Sequence, residues 1–217
     1  MKNRIGCRIL DCPRPDSTLI EGFRGLPSSN IGDQMWRLYN TDSTLKSFNK
    51  TPLCGPAFTI KVPQGDNLMF HKALDIAQPG DILVVDGEGD LQHALAGEMM
   101  IRYAMQRGLG GFVVNGCMRD LDAIEALDFP VYALGITPQG PYKNGPGEIN
   151  VPICCAGRVV NPGDILVGDR DGIVIIPPEF AAEILESSKA KFASEQATIA
   201  GGPSGSRAWI DQTLENL

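Results

Sequence analysis

The segment GEMMIRYAMQRGLGGFVVNGCMRDLDAIEALDFPVYAL, residues 97–134, indicates the fold class most clearly. Its pattern predicts a helix over about 97–106, a buried strand over 112–115, a short helix over 121–127 and another strand over 131–134. Two strands joined by a helical crossover favour parallel pairing. The stretch therefore predicts an α/β fold.

The sequence upstream continues the alternation of helices and strands. Residues 17–40 predict two short helices, 56–62 alternate in the manner of a strand, and 66–77 carry apolar residues at helical spacing. Residues 82–86, ILVVD, predict a short apolar strand, and 87–90, GEGD, predict a glycine-rich loop after it.

Downstream, residues 135–150 predict a loop, 151–177 predict short strands separated by turns, and 179–199 predict a mostly polar helix. The strings PGDILVVD at 79–86 and PGDILVGD at 162–169 are nearly identical. Pro-Gly turn chemistry ahead of an apolar strand explains the repetition. A pseudo-symmetric pair of β units is the alternative, and the two explanations are compatible.

The length of 217 residues fits one large domain with terminal extensions. We predict an α/β domain over residues 17–200, preceded by an N-terminal extension over 1–16. Residues 201–217 are predicted to form a C-terminal tail or arm.

The net charge is −7 and the isoelectric point about 4.8, so the surface is acidic. Nucleic acid and anionic membranes are therefore not expected as partners, because both attract clustered lysine and arginine. No apolar stretch reaches the length of a membrane span, and the first residues do not resemble a secretory signal. The six cysteines match no zinc-binding spacing. We expect free thiols and a cytoplasmic location.

The chain has two histidines, His71 and His93. This number argues against a multi-histidine zinc site, a two-histidine iron site and most Ser-His-Asp hydrolases. A bound metal would instead be held by carboxylates and water, which favours Mg²⁺ or Mn²⁺. For both histidines a structural role is the favoured interpretation.

The strongest candidate site combines residues 97–100 with Arg119 and Asp120, which follow a predicted buried strand. A helix that begins near Gly97 exposes the N–H groups of Met99 and Met100, which suit a substrate carboxylate. Arg119 adds a forked donor for an oxyanion, and Asp120 adds a hard oxygen ligand for a metal. A surface Arg-Asp pair beside an ordinary helix start is the alternative.

Residues 97–134 resemble the class II aldolases that cleave 4-hydroxy-4-methyl-2-oxoglutarate and 4-carboxy-4-hydroxy-2-oxoadipate. This family also contains the regulators of ribonuclease activity A. Its signature is an acidic residue, twenty residues and then Arg-Asp, and Glu98 with Arg119-Asp120 keeps that spacing. Residues 28–35 and 159–177 resemble the family's first helix and its C-terminal strands, so the resemblance extends over about 17–200.

The resemblance implies a layered α/β sandwich with a swivelling β/β/α core, assembled into trimers or hexamers with sites between subunits. It implies Mg²⁺ or Mn²⁺ held by Asp120, and a small 2-keto acid substrate that chelates the metal. Arg119 would stabilise the pyruvate enolate, and Glu98 would act with it. Asp33 and Glu195 match positions that reach a neighbouring subunit's site. A helix-capping or surface role for Asp33, and a solvated helix face for Glu195, are the alternatives.

Three positions depart from the family's pattern. Glu98 stands where the enzymes usually have aspartate, and Ala123 where an acid is common, although Asp122 and Glu125 are nearby. Leu134-Gly135 stands where Arg-Gly is frequent. These differences bear on the substrate more than on the metal-enolate chemistry.

The function implied is cleavage of a 4-hydroxy-2-oxo acid to pyruvate, with oxaloacetate decarboxylation as a second activity of the same enolate chemistry. A non-enzymatic binding protein like the ribonuclease regulators is one alternative. The resemblance argues against it, because that branch lacks the aspartate that stands here as Asp120. A metal-dependent lyase or isomerase acting on another small oxyacid is the other alternative.

Overall fold

The computed structural model of the protein describes residues 4–202, 207 and 209–216. The helices are α1 (Ser17–Phe23), α2 (Ser28–Gln34), α3 (Leu68–Ile76), α4 (Glu98–Gln106), α5 (Leu121–Ala126), α6 (Ala181–Gly201) and α7 (Trp209–Leu214), with a 3₁₀ turn at Pro178–Phe180. The strands are β1 (Lys46–Ser47), β2 (Leu53–Lys61), β3 (Ile82–Ala96), β4 (Gly111–Met118), β5 (Val131–Ile136), β6 (Glu148–Ile149), β7 (Ile153–Cys155), β8 (Arg158–Val160), β9 (Ile165–Asp169) and β10 (Gly172–Ile176).

An eight-stranded mixed sheet forms the centre, in the order β1-β5-β4-β3-β2-β9-β10, with β6 paired to β2. Strands β2 to β5 are parallel to one another, whereas β1, β6, β9 and β10 join antiparallel. Strands β7 and β8 form a separate hairpin. The layered α/β prediction is confirmed, and the parallel pairing of β4 with β5 follows the crossover through α5.

Both faces of the sheet are buried, which explains the continuous apolar runs of its central strands. Leu83 and Val85 pack toward α3, α4 and α5, while Ile82 and Val84 belong to a cluster with the β7–β8 hairpin. Helices α1, α2 and α6 cover β9 and β10 around Phe23. No helix among the described residues combines the length and hydropathy needed to cross a bilayer.

Several strand boundaries differ from the predictions. Strand β2 begins at Leu53 and not near residue 56, and β5 and β6 include residues 135–136 and 148–149 of the predicted loop. The predicted loop at 87–90 lies within β3, which continues to Ala96 with register shifts opposite the end of β4. Glu88 and Gly89 have positive φ, 57° and 71°, and accommodate the extra residues. Strand β4 continues to Met118, so residues 116–118 are paired, and not beyond the strand as predicted.

The ends of the chain are partly described. Residues before α1 run beside β6, where Ile9 bridges Ile149 and the Arg8 guanidinium binds the Glu148 carboxylate at 2.7 Å. The segment predicted as a tail contains α7. Residues 1–3, 203–206, 208 and 217 of the two predicted extensions lie outside the described residues.

The repeated Pro-Gly-Asp strings form two equivalent turns, as their turn chemistry predicts. Gly80 and Gly163 have φ of 86° and 88°, and the next strands begin two residues later. Asp81 Oδ2 accepts the Gln78 N–H at 2.8 Å, and Asp164 Oδ2 accepts the Asn161 N–H at 2.7 Å. Each aspartate therefore accepts the equivalent backbone hydrogen bond within its own turn.

Their electrostatic surroundings differ. Asp81 forms an ion pair with Arg14. Asp164 is buried, and burial together with the charge of Glu179 raises its pKa to about 6, against the opposing hydrogen bonds from Asn161. Folded protein therefore binds this proton more tightly than unfolded chain, so the contribution of Asp164 to stability is lost as pH rises from about 4 to about 6.

Replacing Asp164 with asparagine is expected to raise the free energy of unfolding at pH 7 by roughly 1–3 kcal/mol, because a neutral amide keeps the acceptor without the buried charge. The gain should disappear near pH 4, where the wild-type carboxyl is protonated in folded protein. Urea unfolding at pH 4 and pH 7 measures both values. Asp81→Asn is the matched control and should destabilise, because it leaves Arg14 without its partner. A less stable Asp164→Asn protein at pH 7 would contradict the prediction.

Candidate active site

The carboxyl ends of β3 and β4 meet at the N-terminus of α4, and most of the predicted site residues lie there. The Arg119 N–H donates to the Ala96 carbonyl at 3.0 Å, which ties the residue after β4 to the last residue of β3. The Glu98 N–H donates to Asp120 Oδ2 at 2.9 Å. This edge of a parallel sheet is where ligands commonly bind.

Asp120 has a left-handed backbone, with φ 65° and ψ 50°, immediately before α5. Aspartate tolerates this region better than most residues. The conformation accompanies a side chain that reaches back to the first N–H of α4, where the helix dipole favours a negative charge. The side chain is 43% exposed, and Oδ1 accepts no hydrogen bond from the described residues. One carboxylate oxygen is thus fixed and the other is available.

Two glycines leave room for the side chains of Arg119 and Asp120. A Cβ on Gly97 would lie 2.8 Å from Arg119 Cγ and would overlap Asp120 Oδ2. A Cβ on Gly140 would lie 3.1 Å from Arg119 Nη1. Arg119 Nε lies 3.8 Å from Asp120 Oδ2, and the arginine side chain is 46% exposed. The Arg119 guanidinium and the Asp120 carboxylate are therefore accessible to solvent, although both side chains pack closely against glycine backbone.

A pocket of about 160 Å³ opens beside them. Its polar lining consists of Asn67, His71, Arg119, Asp120 and Lys143. Among the described lining residues two side chains are cationic and one is a carboxylate, so the pocket suits an anion. A larger cleft of about 900 Å³ lies between the β1 segment and α5 and contains none of the predicted catalytic, substrate or metal residues.

His71 and Lys143 are pocket residues that sequence analysis did not assign. His71 lies one helical turn after Asn67 on the same face of α3. Burial lowers the pKa of His71, the charge of Lys143 lowers it further, and Asp75 opposes the shift. The imidazole is therefore neutral at pH 7, and it can donate or accept a hydrogen bond. The structural role favoured for His71 from the sequence did not anticipate its place in the pocket lining.

The predicted carboxylate seat is narrower than expected. The Met100 N–H already donates to the Gly97 carbonyl at 3.1 Å, whereas the Met99 N–H has no partner among the described residues. The Glu98 carboxylate accepts from Arg102 Nε at 2.7 Å, one turn along α4, and does not line the pocket. Of the donors predicted from the sequence, the Met99 N–H and the Arg119 guanidinium therefore remain for an anion.

The site fits a hard cation that keeps most of its water. The described residues contain no group of three or more His, Cys, Asp or Glu side chains arranged to hold a metal. Asp120, whose side chain is half-exposed, offers a carboxylate oxygen beside the pocket. Mg²⁺ is commonly bound through one or two carboxylates and several waters, and Mn²⁺ also prefers such oxygen ligands.

Asp33 and Glu195 do not line this pocket. They lie on α2 and α6, which pack against each other beside β9 and β10. Asp33 Oδ1 lies 3.0 Å from Arg37 Nη2, and Glu195 accepts from Asn30 Nδ2 at 2.7 Å. In the sheet, β2 separates β9 and β10 from β3 and β4. One protomer therefore does not bring these acids to its own pocket.

Comparison with known proteins gives a consistent result. The family model described as RraA-like, Aldolase/RraA, matches residues 28–175. A Halalkalibacterium halodurans protein provisionally named 4-hydroxy-4-methyl-2-oxoglutarate aldolase is 39% identical over 199 residues, which cover 90% of this chain and 95% of that protein. An Arabidopsis thaliana protein with the same provisional name is 40% identical over 127 residues, which cover 58% of this chain and 76% of that protein.

Solved structures share the fold. A Streptomyces coelicolor protein, described as an unusual member of the RNase ES inhibitor RraA family, has a TM-score of 0.77 at 28% identity, covering 87% of this chain and 98% of that one. The RNA-processing inhibitor RraA from Thermus thermophilis has a TM-score of 0.64 at 31% identity, covering 70% of this chain and 92% of that one.

Proposed function

The chain belongs to the Aldolase/RraA family, and we propose that it is a divalent-metal-dependent aldolase that releases pyruvate from a 4-hydroxy-2-oxo acid. The observation that carries this proposal is the pairing of Arg119 and Asp120 at the mouth of a pocket whose lining favours anions. Asp120 is fixed by the Glu98 N–H and Arg119 by the Ala96 carbonyl. The same pair supports decarboxylation of oxaloacetate, because that reaction also passes through pyruvate enolate.

Asp120, Met99 and Arg119 have separate roles in the proposed reaction. Asp120 would hold Mg²⁺ or Mn²⁺, which when bound supplies a Lewis acid for the 2-keto oxygen. The Met99 N–H and the Arg119 guanidinium bind the substrate's oxyanions. The bond between C3 and C4 breaks as the 4-hydroxyl proton leaves to water, and the electron pair forms the enolate that Arg119 stabilises. A proton returned to C3 completes pyruvate.

The charges of the pocket indicate a substrate with more than one anionic group. Lys143 adds a second cation beside Arg119, and neutral His71 adds a hydrogen-bonding group. A small 2-keto acid with a second carboxylate would match both cations. Lys143 was not part of the site predicted from the sequence, because only the fold brings it to the pocket.

A non-enzymatic regulator is the second candidate, because one structural relative is described as an RNA-processing inhibitor and another as an unusual member of the RNase ES inhibitor RraA protein family. Asp120 supports the enzyme instead, because a half-exposed carboxylate beside an arginine offers both the metal ligand and the oxyanion donor that the proposed reaction requires. A lyase or isomerase acting on another oxyacid would use the same residues, and a panel of 2-keto and sugar acids would separate it from the aldolase.

Metal removal tests the proposed function. We expect EDTA to lower pyruvate release from oxaloacetate at least about tenfold, and excess Mg²⁺ or Mn²⁺ to restore it. The rate is taken above the background of metal without protein. Calorimetry with Mn²⁺ should show binding to the wild type and its loss in Asp120→Asn, which keeps an acceptor for the Glu98 N–H. Undiminished turnover in EDTA would exclude a metal-dependent aldolase and leave the regulator as the better explanation.

We further propose that the site is completed by a neighbouring subunit in a homotrimer or a homohexamer. Two different surfaces expose large apolar side chains: Met99 and Tyr142 beside the pocket, at 81% and 59% exposure, and Trp36 and Leu38 beside β10, at 82% and 67%. Asp33 precedes the second of these surfaces on α2. Contact between unlike surfaces generates a ring when the rotation between subunits closes, and such a ring would bring Asp33 to the pocket of the next subunit.

A mixing experiment tests the shared site. Asp120→Ala and Asp33→Ala proteins should each be nearly inactive. After equal mixing with subunit exchange, random assortment gives about a quarter of the sites both intact residues, so about a quarter of wild-type activity should return. Two wild-type samples treated identically are the control. A fully active monomer in sedimentation at assay concentration would exclude the shared site.

A further inference from the structure

Lys143 reaches the pocket on a segment, residues 139–145, that we call the lysine loop. The loop is fastened by its backbone. The Ala94 N–H donates to the Gln139 carbonyl at 2.8 Å, and the Tyr142 N–H donates to the Gly65 carbonyl at 2.7 Å. The buried carboxylate of Asp66 accepts the N–H groups of the two residues after Lys143, at 2.6 and 2.9 Å. The loop therefore has a defined path across the N-terminus of α3.

One side chain of this loop, Tyr142, packs on an imidazole that has no role in the proposed chemistry. The rings of His93 and Tyr142 have centroids 5.4 Å apart at an interplanar angle of 49°. His93 Nδ1 lies 2.7 Å from Asp90 Oδ2, and the other carboxylate oxygen of Asp90 accepts the Gln92 N–H at 2.8 Å. The imidazole is thus held from β3 while its face supports the loop.

The surroundings of Asp90 and His93 are adapted to this contact. Burial alone would raise the pKa of Asp90, but hydrogen bonds from Gln92 and His93 lower it, so the carboxylate is charged at neutral pH. Gly65 has a φ of 69°, and a Cβ there would lie 2.7 Å from His93 Nδ1. A larger residue at position 65 would displace the ring as well as strain the backbone.

Neither Asp90 nor His93 lines the pocket, and the ring contact of His93 with Tyr142 connects both residues to the loop that carries Lys143. We propose that His93, oriented by Asp90, is a positioning residue that supports Tyr142 and thereby sets Lys143 at the pocket. The support of the loop is independent of the proposed function. The effect on a ligand rests on the proposed function, because it requires that Lys143 meets a bound oxyanion.

Hydrogen exchange measured by mass spectrometry tests the support of the loop without any ligand. His93→Ala and Tyr142→Ala should each raise exchange of the Tyr142, Asn144 and Gly145 amides about tenfold, while amides of β4 stay unchanged. Tyr142→Phe keeps the aromatic ring, so its amide exchange should equal that of the wild type. Unchanged exchange in His93→Ala would overturn the proposal whatever the protein catalyses.

Oxalate, a planar dianion, tests the effect on the pocket by calorimetry in Mg²⁺ buffer. His93→Ala should weaken oxalate binding about tenfold in the wild-type background and not at all in Lys143→Ala, because both changes act through the same ammonium group. Equal weakening in both backgrounds would overturn the action through Lys143. If wild-type protein failed to bind oxalate, the proposed function and the action on a ligand would both fall, and hydrogen exchange would still decide the role of His93 in the loop.

Discussion

Arg119→Ala protein is expected to form pyruvate about a hundred to a thousand times more slowly than the wild type, because it lacks the guanidinium that stabilises the enolate. Arg119 is 46% exposed, and its backbone N–H bond to Ala96 does not depend on the side chain. The fold should therefore persist with a nearly unchanged melting temperature. Steady-state kinetics with oxaloacetate and with a 4-hydroxy-2-oxo acid measure the loss.

Two further arginine variants sharpen this prediction. Arg119→Lys keeps the charge but not the planar fork, so it should recover only part of the rate. Arg24→Ala is the matched control, because Arg24 forms an exposed pair with Glu21 and lies beside the start of β2. Removing such an exposed pair has little effect on stability, and activity should stay at the wild-type level. Wild-type turnover in Arg119→Ala would refute the assignment of this site.

The order of elements was predictable because helical and strand periodicities alternate clearly through residues 97–134. The second half of β3 was not. Glycine and acidic residues at 87–90 are typical of a loop, and their place in the sheet depends on pairing with β4 through register shifts. The positive φ of Glu88, 57°, has no local sequence signal. Tertiary pairing overrides local preference there.

The candidate site likewise contains residues that the sequence predicts and residues that only the folded structure reveals. Gly97, Arg119 and Asp120 were predictable, because each lies where a parallel strand ends or a helix begins. His71 and Lys143 come from α3 and the lysine loop, and only the packed fold brings them to the pocket. The ion pair of Glu98 with Arg102 was also predictable from the sequence. Glu98 and Arg102 are four residues apart on one helix, a spacing that favours their observed ion pair over a carboxylate turned to the pocket.

Gly97→Ala is expected to abolish most of the activity although Gly97 has no functional group. Its backbone is extended, with φ −156° and ψ −163°, so alanine can adopt it. The cost is steric, since the added methyl would overlap Asp120 Oδ2 and lie 2.8 Å from Arg119 Cγ. Both side chains must move, and a displacement of about 1 Å at a reacting centre can lower a rate about a hundredfold.

The measurements for Gly97→Ala are turnover, Mn²⁺ affinity and melting temperature, since displacement of Asp120 should weaken metal binding together with catalysis. The matched control is Gly116→Ala on β4, where a Cβ would meet ordinary van der Waals contacts, the nearest being Leu95 Cδ1 at 3.4 Å. That variant should keep its Mn²⁺ affinity and most of its activity. If Gly97→Ala bound Mn²⁺ and turned over normally, the close packing of Gly97 against Asp120 and Arg119 would have no functional meaning, and the metal site would have to lie elsewhere.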